Sequence, residues 1–317
     1  MKRGMGLTAW VVACSAFVLA ASAQGASLAA GNVQVSVLSA FPAGAGPSSA
    51  AATNAGDVAV PAAGKIVSVG PDGQQKTFAA ALPAGAFGIG PIGLAYGSGH
   101  ALYAALPAAF GPPPSGTPGI WRISANGKDA SAVPGSEGMV AADGMGYDAA
   151  TGYLYVTDIF GGAIWRVPPD GSSAQLWTSG GTNPILGEPD GVKVFDGAVY
   201  ASSGDRILRI PINADGSAGT ATVWAQVPGA FFDDMVLDDR TGDVYVSRLD
   251  TDELLQITPA GVVTTIASNA DGLLGAANMT LIHVGQRTII YLANSGFPIF
   301  STNTTGFGPA LLQITIS

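Results

Sequence analysis

The sequence has little charge and almost no cysteine. Charged residues make up 11 % of the 317 residues, and Cys14 is the one cysteine. Because Cys14 lies in an N-terminal apolar run, a chain without that run has no disulfide, thiol nucleophile or cysteine metal ligand. Lys and Arg number 13 against 22 Asp and Glu, which gives a formal net charge of −9. This acidity predicts no binding to nucleic acid or to an anionic membrane surface by electrostatics.

The N-terminus has the pattern of a signal peptide. Lys2 and Arg3 precede an apolar run from Leu7 to Ala21, and Ala21-Ser22-Ala23 is a small-x-small cleavage site. The run is short for a membrane span. We therefore expect cleavage after Ala23, no membrane insertion of the mature chain, and a secreted or periplasmic location.

The pattern also divides the chain. We expect residues 1–23 to be the signal peptide, 24–31 a short linker and 32–317 one folded domain. The domain is large enough to fold around its own core without disulfides. We expect a monomer.

Six copies of one pattern follow. Its clearest piece is a short apolar strand, which in the first five copies ends in a Gly-containing turn. The copies are GKIVSVGPDG (from Gly64), GIWRISANG (from Gly119), GAIWRVPPDG (from Gly162), RILRIPINADG (from Arg206), ELLQITPAG (from Glu253) and ALLQITIS (from Ala310). Turns of the PDG and ANG type supply the positive φ of a tight hairpin. Two further strands precede each copy, and a fourth strand follows each of the first five. Four strands repeated about every 45 residues predict an all-β, six-bladed β-propeller.

Five of the strands that precede these copies carry a tyrosine in register. The five are Tyr103, Tyr155, Tyr200, Tyr245 and Tyr291. Strand-type alternation with a repeated aromatic residue predicts that they pack between neighbouring sheets.

The two ends of the chain complete one another. The sixth unit stops at its third strand because the chain ends at Ser317, and VQVSVLSA (Val33 to Ala40) is an unassigned strand at the start. Pairing this strand with the last blade removes an exposed edge. A parallel solenoid is the competing architecture, but its repeats are shorter and it needs capping units at both ends.

Acidic residues recur where the innermost strands begin. The positions in four successive blades are Asp143, Asp190, Asp233 and Asn278. Inner strands surround the axis, so we expect these side chains to meet at one mouth of the channel. Carboxylate and amide oxygens suit Ca²⁺, and the sequence predicts a metal site from these four residues. The alternative is that the Asp-Gly pairs are only turn residues.

Other polar residues are expected on the same face. Glu188 flanks Asp190, and the ends of the second strands supply Asp158, Asn294 and Arg248. We expect Glu188, Asp158 and Asn294 to contact substrate. Arg248 could orient a carboxylate or stabilise an oxyanion, or it could form an ion pair with Asp250 or Asp252.

The two histidines, His100 and His283, fall in turns between first and second strands, on the opposite face. A Ser-His-Asp triad at the acidic mouth is therefore not expected. Two long loops, Pro107 to Gly119 and Ser295 to Pro309, project from the acidic face, and their Phe and Pro content predicts the walls of an apolar pocket.

Three segments resemble blades of the gluconolactonase/regucalcin-like six-bladed propellers. They are DGMGYDAATGYLYVTDIFGGAIWRV (from Asp143), RILRIPINADGSAG (from Arg206) and FDDMVLDDRTGDVYVS (from Phe232). The resemblance covers nearly all of residues 32–317. It implies one axial divalent cation, usually Ca²⁺, held by a first-blade Glu, a fourth-blade Asn and a fifth-blade Asp, with a third-blade Asn at the substrate.

When these positions are carried over to this sequence, the resemblance implies Asp233 as the fifth-blade ligand, Asp190 as the fourth-blade ligand and Asp143 as the third-blade residue. The first-blade Glu has no counterpart in GPSSAAAT (from Gly46). We therefore expect a Ca²⁺-dependent hydrolase of a small-molecule lactone or ester, with Asp143, Asp233 and Arg248 as catalytic residues. Two alternatives remain: an exported propeller that binds a ligand or protein without turnover, and non-hydrolytic chemistry of the cyclase or synthase kind in the same pocket.

Overall fold

The computed structural model describes residues 32–53, 55–79, 82, 90–107 and 118–317. The expected signal peptide and linker lie outside these residues, as does most of the loop from Pro107 to Gly119. The described chain forms six four-stranded antiparallel sheets in a ring, so the predicted six-bladed β-propeller is confirmed. No helix in this described part is long and apolar enough to cross a membrane.

Each blade runs from an inner strand at the axis to an outer strand at the rim. From inner to outer, blade one consists of β2 (Ala51–Ala52), β3 (Val58–Ala62), β4 (Lys65–Val69) and β5 (Gln75–Ala79). Blade two consists of β6 (Gly93–Tyr96), β7 (Leu102–Leu106), β8 (Gly119–Ile123) and β9 (Ala130–Ala132). Blade three consists of β10 (Ala142–Tyr147), β11 (Leu154–Asp158), β12 (Ala163–Val167) and β13 (Gln175–Ser179).

The other three blades have the same order. Blade four consists of β14 (Pro189–Phe195), β15 (Ala198–Ser203), β16 (Arg206–Pro211) and β17 (Thr222–Gln226). Blade five consists of β18 (Phe232–Leu237), β19 (Val244–Arg248), β20 (Glu253–Ile257) and β21 (Val263–Ala267). Blade six consists of β22 (Ala276–Val284), β23 (Arg287–Asn294), β24 (Ala310–Ile316) and β1 (Val33–Ala40). Short 3₁₀ turns cover Ser98–His100, Ser136–Gly138 and Asn269–Asp271.

The ring closes as the sequence predicts. Strand β1 pairs antiparallel with β24, from Val33 opposite Ile316 to Ala40 opposite Ala310, with one irregularity between Val37 and Ser39. The first strand of the chain therefore becomes the outer strand of the last blade and covers the edge that β24 would otherwise expose.

The core lies between the sheets. All five in-register tyrosines are buried, which confirms their predicted packing role. Two of them meet a tryptophan edge to face: Tyr155 and Trp177 at 4.9 Å, and Tyr200 and Trp224 at 5.9 Å between ring centroids. Each such aromatic pair adds about 0.5–1.5 kcal/mol beyond the area it buries. Both pairs join the second and fourth strands of one blade. The tyrosines reach the next blade through the apolar core, where Tyr155 shares a buried cluster with Val192 of blade four and Tyr200 with Phe232 of blade five.

Candidate functional site

The inner strands of blades three to six share a β-bulge near their first residues. In blade three the pairing with the second strand shifts between Ala142 and Met145, and the three following blades shift at the equivalent positions. A bulge re-aims the side chains that it contains. The bulged segments contain the four residues of the predicted cluster, Asp143, Asp190, Asp233 and Asn278.

The Asp-Gly pairs are not turns. Gly144 lies inside β10 and Gly191 inside β14, and neither has a positive φ. A Cβ on Gly144 would collide with the carbonyl oxygen of Asp190, and a Cβ on Gly191 would lie 2.6 Å from the Cα of Asp234. These glycines let neighbouring inner strands approach closely around the axis. The turn interpretation of Asp143 and Asp190 is therefore wrong.

Buried hydroxyl groups from the second strands fix the bulges. Thr157 donates a short hydrogen bond to the carbonyl oxygen of Asp190 in the next blade, and Ser202 does the same for Asp233. Ser202 Oγ also accepts from the amide of Gly191 at 2.7 Å. Thr157 and Ser202 each stand two residues after an in-register tyrosine. The repeat thus carries a signal for these links that sequence reasoning overlooked.

Two of the three carboxylates have an oxygen without a donor. Asp190 and Asp233 are each 9 % exposed, and Asp143 is half-buried. Asp190 Oδ1 and Asp233 Oδ2 are buried and accept no hydrogen bond from the described residues. An unpaired buried carboxylate oxygen is costly. A cation of the hard-oxygen type would satisfy both atoms.

The carboxylates disfavour each other's ionisation. Burial, followed by the charge of Asp234, raises the pKa of Asp190 to about 7. Burial and then the neighbouring carboxylates also hold the pKa of Asp143 and of Asp233 well above the ordinary value. The amide of Asn278 lowers the pKa of Asp143 and so partly offsets these effects. Strong repulsion between acids in a confined space is typical of a functional site.

A lysine neutralises the fourth acid of the channel. Lys193 Nζ lies 2.6 Å from Asp234 Oδ1 and 2.9 Å from its Oδ2, and the amide of Met279 donates to the same carboxylate at 3.2 Å. Asp234 thus has its own partners. The sequence analysis did not anticipate Lys193, which stands three residues after Asp190 on the same inner strand.

Blades one and two contribute no carboxylate to the cluster among the described residues. Ser49 Oγ accepts from the amide of Leu94 at 3.0 Å, and Ser48 Oγ donates to the carbonyl oxygen of Pro91 at 3.1 Å. Asn278 closes this side, because its amide nitrogen Nδ2 donates to the carbonyl oxygen of Ile92 at 3.2 Å. The cluster is therefore acidic on one side of the axis and uncharged on the other.

Two predicted site residues have structural partners. The carboxylate of Asp158 accepts from the amides of Val140, Ala141 and Gly161, and Asp158 is 2 % exposed. Asn294 is fully buried, accepts from the amide of Leu274 at 2.8 Å and donates to the carbonyl of Phe307 at 3.1 Å. Both side chains hold loops in place, so we assign neither of them to substrate.

Arg248 forms the ion pair that the sequence offered as an alternative. Its guanidinium group lies 2.7 Å from Asp250 and 3.3 Å from Glu253. Asp252, the other partner considered, instead accepts from the amide of Gly275 at 2.7 Å. Because Arg248 is held by two acids, we do not assign it a catalytic role. Glu188 is exposed next to Asp190 and remains a predicted substrate contact.

The opposite face carries a second polar group. His283 Nε2, near the end of β22, lies 2.9 Å from Asp239 Oδ1 and 3.4 Å from Asp238 Oδ1, in the turn after β18. Ligand atoms of these three residues lie within 4.8 Å of one another, so they could hold a metal. Asp238 already accepts from the amide of Arg240 and from the hydroxyl of Thr288. The sequence analysis missed this group, which only the alignment of equivalent turns in adjacent blades would suggest.

Solved structures with the same fold include sugar-converting enzymes. A gluconolactonase from Xanthomonas campestris is 17 % identical with a TM-score of 0.66, over 93 % of this chain and 94 % of that one. An aldose sugar dehydrogenase from Streptomyces coelicolor, bound to PQQ, is 16 % identical with a TM-score of 0.63, over 90 % and 99 %. Virginiamycin B lyase from Staphylococcus aureus is 15 % identical with a TM-score of 0.57, over 90 % and 100 %.

The TM-scores and coverages show a shared fold at low sequence identity. The sequence matches no protein-family model and no curated protein. Because the structural relatives include a lactonase, a dehydrogenase and a lyase, the fold alone does not select a reaction. The chemistry has to be argued from the axial carboxylates.

Proposed function

We propose that this chain is an exported, Ca²⁺-dependent hydrolase of a lactone or ester. The observation that carries the proposal is the pair of buried carboxylate oxygens without donors, Asp190 Oδ1 and Asp233 Oδ2, on adjacent bulged strands at the axis. The gluconolactonase structures are examples of this fold in enzymes of the same reaction class.

The donor set fits a hard divalent cation. Asp190 and Asp233 would hold it, with Asp143 and the amide oxygen of Asn278 available beside them. The described residues of this face offer neither cysteine nor histidine to the axis, which argues for Ca²⁺ over zinc or copper. When bound, such an ion polarises a carbonyl group and stabilises the negative charge that develops on its oxygen.

Asp143 is the residue best placed to act on substrate. It is the most exposed of the three carboxylates, whereas Asp190 and Asp233 are nine-tenths buried. We assign Asp143 the role of general base, which takes a proton from the attacking water. Asn278 orients the Asp143 carboxylate, and the exposed Glu188 contacts the substrate at the mouth.

A second candidate is a propeller that binds a small ligand or protein without turnover. The specific observation in its favour is that the family's first-blade Glu is replaced by serines whose hydroxyls are occupied, Ser48 and Ser49. Non-hydrolytic chemistry in the same pocket is the third candidate. Export rests on the signal-peptide pattern of residues 1–23, and we propose a monomer that meets a small-molecule substrate in the periplasm or the medium.

The test combines metal binding with turnover. The thermal midpoint of the chain from residue 24 is measured at pH 8 with Ca²⁺ and with chelator, and a panel of lactones and aryl esters is assayed under both conditions. The proposal predicts that the thermal midpoint is higher with Ca²⁺ than with chelator, and that turnover occurs only when Ca²⁺ is present. Ca²⁺ binding without turnover would favour the second or third candidate, and no response to Ca²⁺ would refute the metal site.

A further inference from the structure

An apolar cavity of ≈ 270 Å³ lies beside the axial cluster, on its uncharged side. It is bounded by blades six, one and two and by the long loop after β23. Its apolar lining includes Pro47, Pro61, Pro91, Ala277, Phe297 and Ile299, and no charged side chain of the described residues lines it. Since a water molecule takes about 30 Å³ in the liquid, the cavity has room for a group of about nine non-hydrogen atoms.

The cavity adjoins the cluster through Asn278. Ala277 lines the cavity and directly precedes Asn278 in β22. The backbone N–H of Asn278 donates to the backbone carbonyl of Ser48, which also lines the cavity, at 3.3 Å. A molecule whose carbonyl lies over the carboxylates can therefore extend a substituent past Asn278 into the cavity. The acidic half of the mouth and the apolar half would then contact different parts of one substrate.

The hydroxyl groups in the wall are already occupied. Ser48 Oγ donates to the carbonyl of Pro91 at 3.1 Å, and Ser295 Oγ donates to the carbonyl of Phe297 at 2.9 Å. Among the described residues, no other lining residue has a side-chain donor or acceptor. Both serines have already donated their one hydroxyl proton, so a polyol placed there would find no side-chain donor and few acceptors, at a cost of about 1–3 kcal/mol for each hydroxyl left unpaired. An alkyl or aryl group would be stabilised by burial.

We infer that the substrate is a lactone or ester that carries a compact, uncharged alkyl or aryl group, and that it is not a sugar lactone. The group occupies the cavity between Phe297, Ile299 and the three prolines. This inference rests on the proposed hydrolase function. The side chains at its entrance are exposed apolar ones, Phe297 at 51 % and Ile299 at 38 %, as expected for a wall that a ligand covers.

The test compares lactones of one ring size with and without an apolar substituent. With Ca²⁺ present, we expect kcat/KM for δ-octalactone to exceed that for D-glucono-δ-lactone at least about ten-fold. Phe297→Ser should lower kcat/KM for δ-octalactone about ten-fold and change that for unsubstituted δ-valerolactone less than two-fold, whereas Phe297→Leu should retain the preference. Phe300→Ser is the matched control, because Phe300 is in the same loop, is 60 % exposed and does not line the cavity.

The outcomes separate this inference from the proposed function. Preference for D-glucono-δ-lactone, or equal effects of Phe297→Ser and Phe300→Ser, would overturn the inference and leave the hydrolase standing. If no lactone or ester is turned over, the hydrolase proposal is refuted. Calorimetry with δ-octalactone then tests whether the cavity binds an apolar group. Saturable binding that Phe297→Ser abolishes would support the apolar site, and absence of binding would refute it. The thermal midpoint of each variant confirms that it is folded.

Discussion

Lys193 donates to both carboxylate oxygens of Asp234, and this contact separates one channel acid from the other three. Asp234 is 2 % exposed in its side chain and Lys193 is 21 % exposed. The charge of Lys193 also lowers the pKa of Asp143 and of Asp233, against the larger effect of burial. The pair therefore leaves Asp190, Asp233 and Asp143 as the acids that can serve a cation.

Removal of Lys193 should destabilise the fold. Lys193→Met leaves the Asp234 carboxylate buried without its cation, which we expect to lower the free energy of unfolding by about 3 kcal/mol. Chemical denaturation measures the change. Lys76→Met, at an exposed lysine, is the control and should have little effect. The added substitution Asp234→Asn should recover part of the loss, and failure to recover any would mean that Lys193 acts through packing alone.

Stability without a cation should fall as the pH rises. The pKa of Asp190 is raised from 3.8 to about 7 in the folded chain, so between these values the folded state retains a proton that the unfolded state has released. The free energy of unfolding that this retained proton contributes is therefore lost as the pH rises toward 7. In chelator we expect the thermal midpoint at pH 8 to lie on the order of 5 °C below that at pH 5. Ca²⁺ should restore it at pH 8 and have little effect at pH 5; a midpoint in chelator that rises with pH would contradict this.

Neutralising one ligand should stabilise the chelated chain and weaken its response to Ca²⁺. Asp190→Asn removes a charge that opposes Asp143 and Asp233, so its midpoint in chelator at pH 8 should exceed that of the unchanged chain. The rise on adding Ca²⁺ should shrink. Asp196→Asn, an exposed acid in the same blade, is the matched control and should alter neither quantity. An unchanged Ca²⁺ response in Asp190→Asn would remove this residue from the metal site.

Asp143 should affect turnover more than metal binding. If Asp143 is the general base, Asp143→Asn should lower kcat about 10²–10⁴-fold and keep most of the Ca²⁺-induced rise in the midpoint. The assay uses the most active lactone or ester of the panel. Equal loss of turnover and of the Ca²⁺ response would identify Asp143 as a ligand only.

The N-terminal strand should be required for the stability of the whole ring. A chain that begins at residue 41 lacks β1 and exposes the edge of β24, so we expect a large drop in the midpoint. A chain that begins at residue 32 retains β1 and serves as the control. Closure by β1 would be refuted if the two chains melted alike.

The periodic features of the sequence predicted the fold. A short apolar strand recurs in all six units, and a glycine turn and an in-register tyrosine each recur in five. Such a local pattern predicts the same local structure in every unit. The pairing of Val33–Ala40 with the last blade followed from counting strands and was found in the expected position. The same alignment predicted that Asp143, Asp190, Asp233 and Asn278 lie at equivalent positions of their inner strands.

What the sequence alone determined is therefore the ring, its closure and the alignment of its acids, because these depend on order along the chain. Only the tertiary structure decided which polar side chains are available. Asp158 and Asn294 are occupied by backbone groups, Arg248 by Asp250, and Asp234 by Lys193. The Arg248–Asp250 pair is local, and the sequence offered it as an alternative. Lys193 and Asp234 lie on adjacent blades, and Asp158 and Asn294 accept from amides 17 and 20 residues away in their own blades. The energy of a buried polar atom depends on such partners rather than on its place in the repeat. The tertiary structure likewise identified Asp190 Oδ1 and Asp233 Oδ2 as buried oxygens without a donor among the described residues.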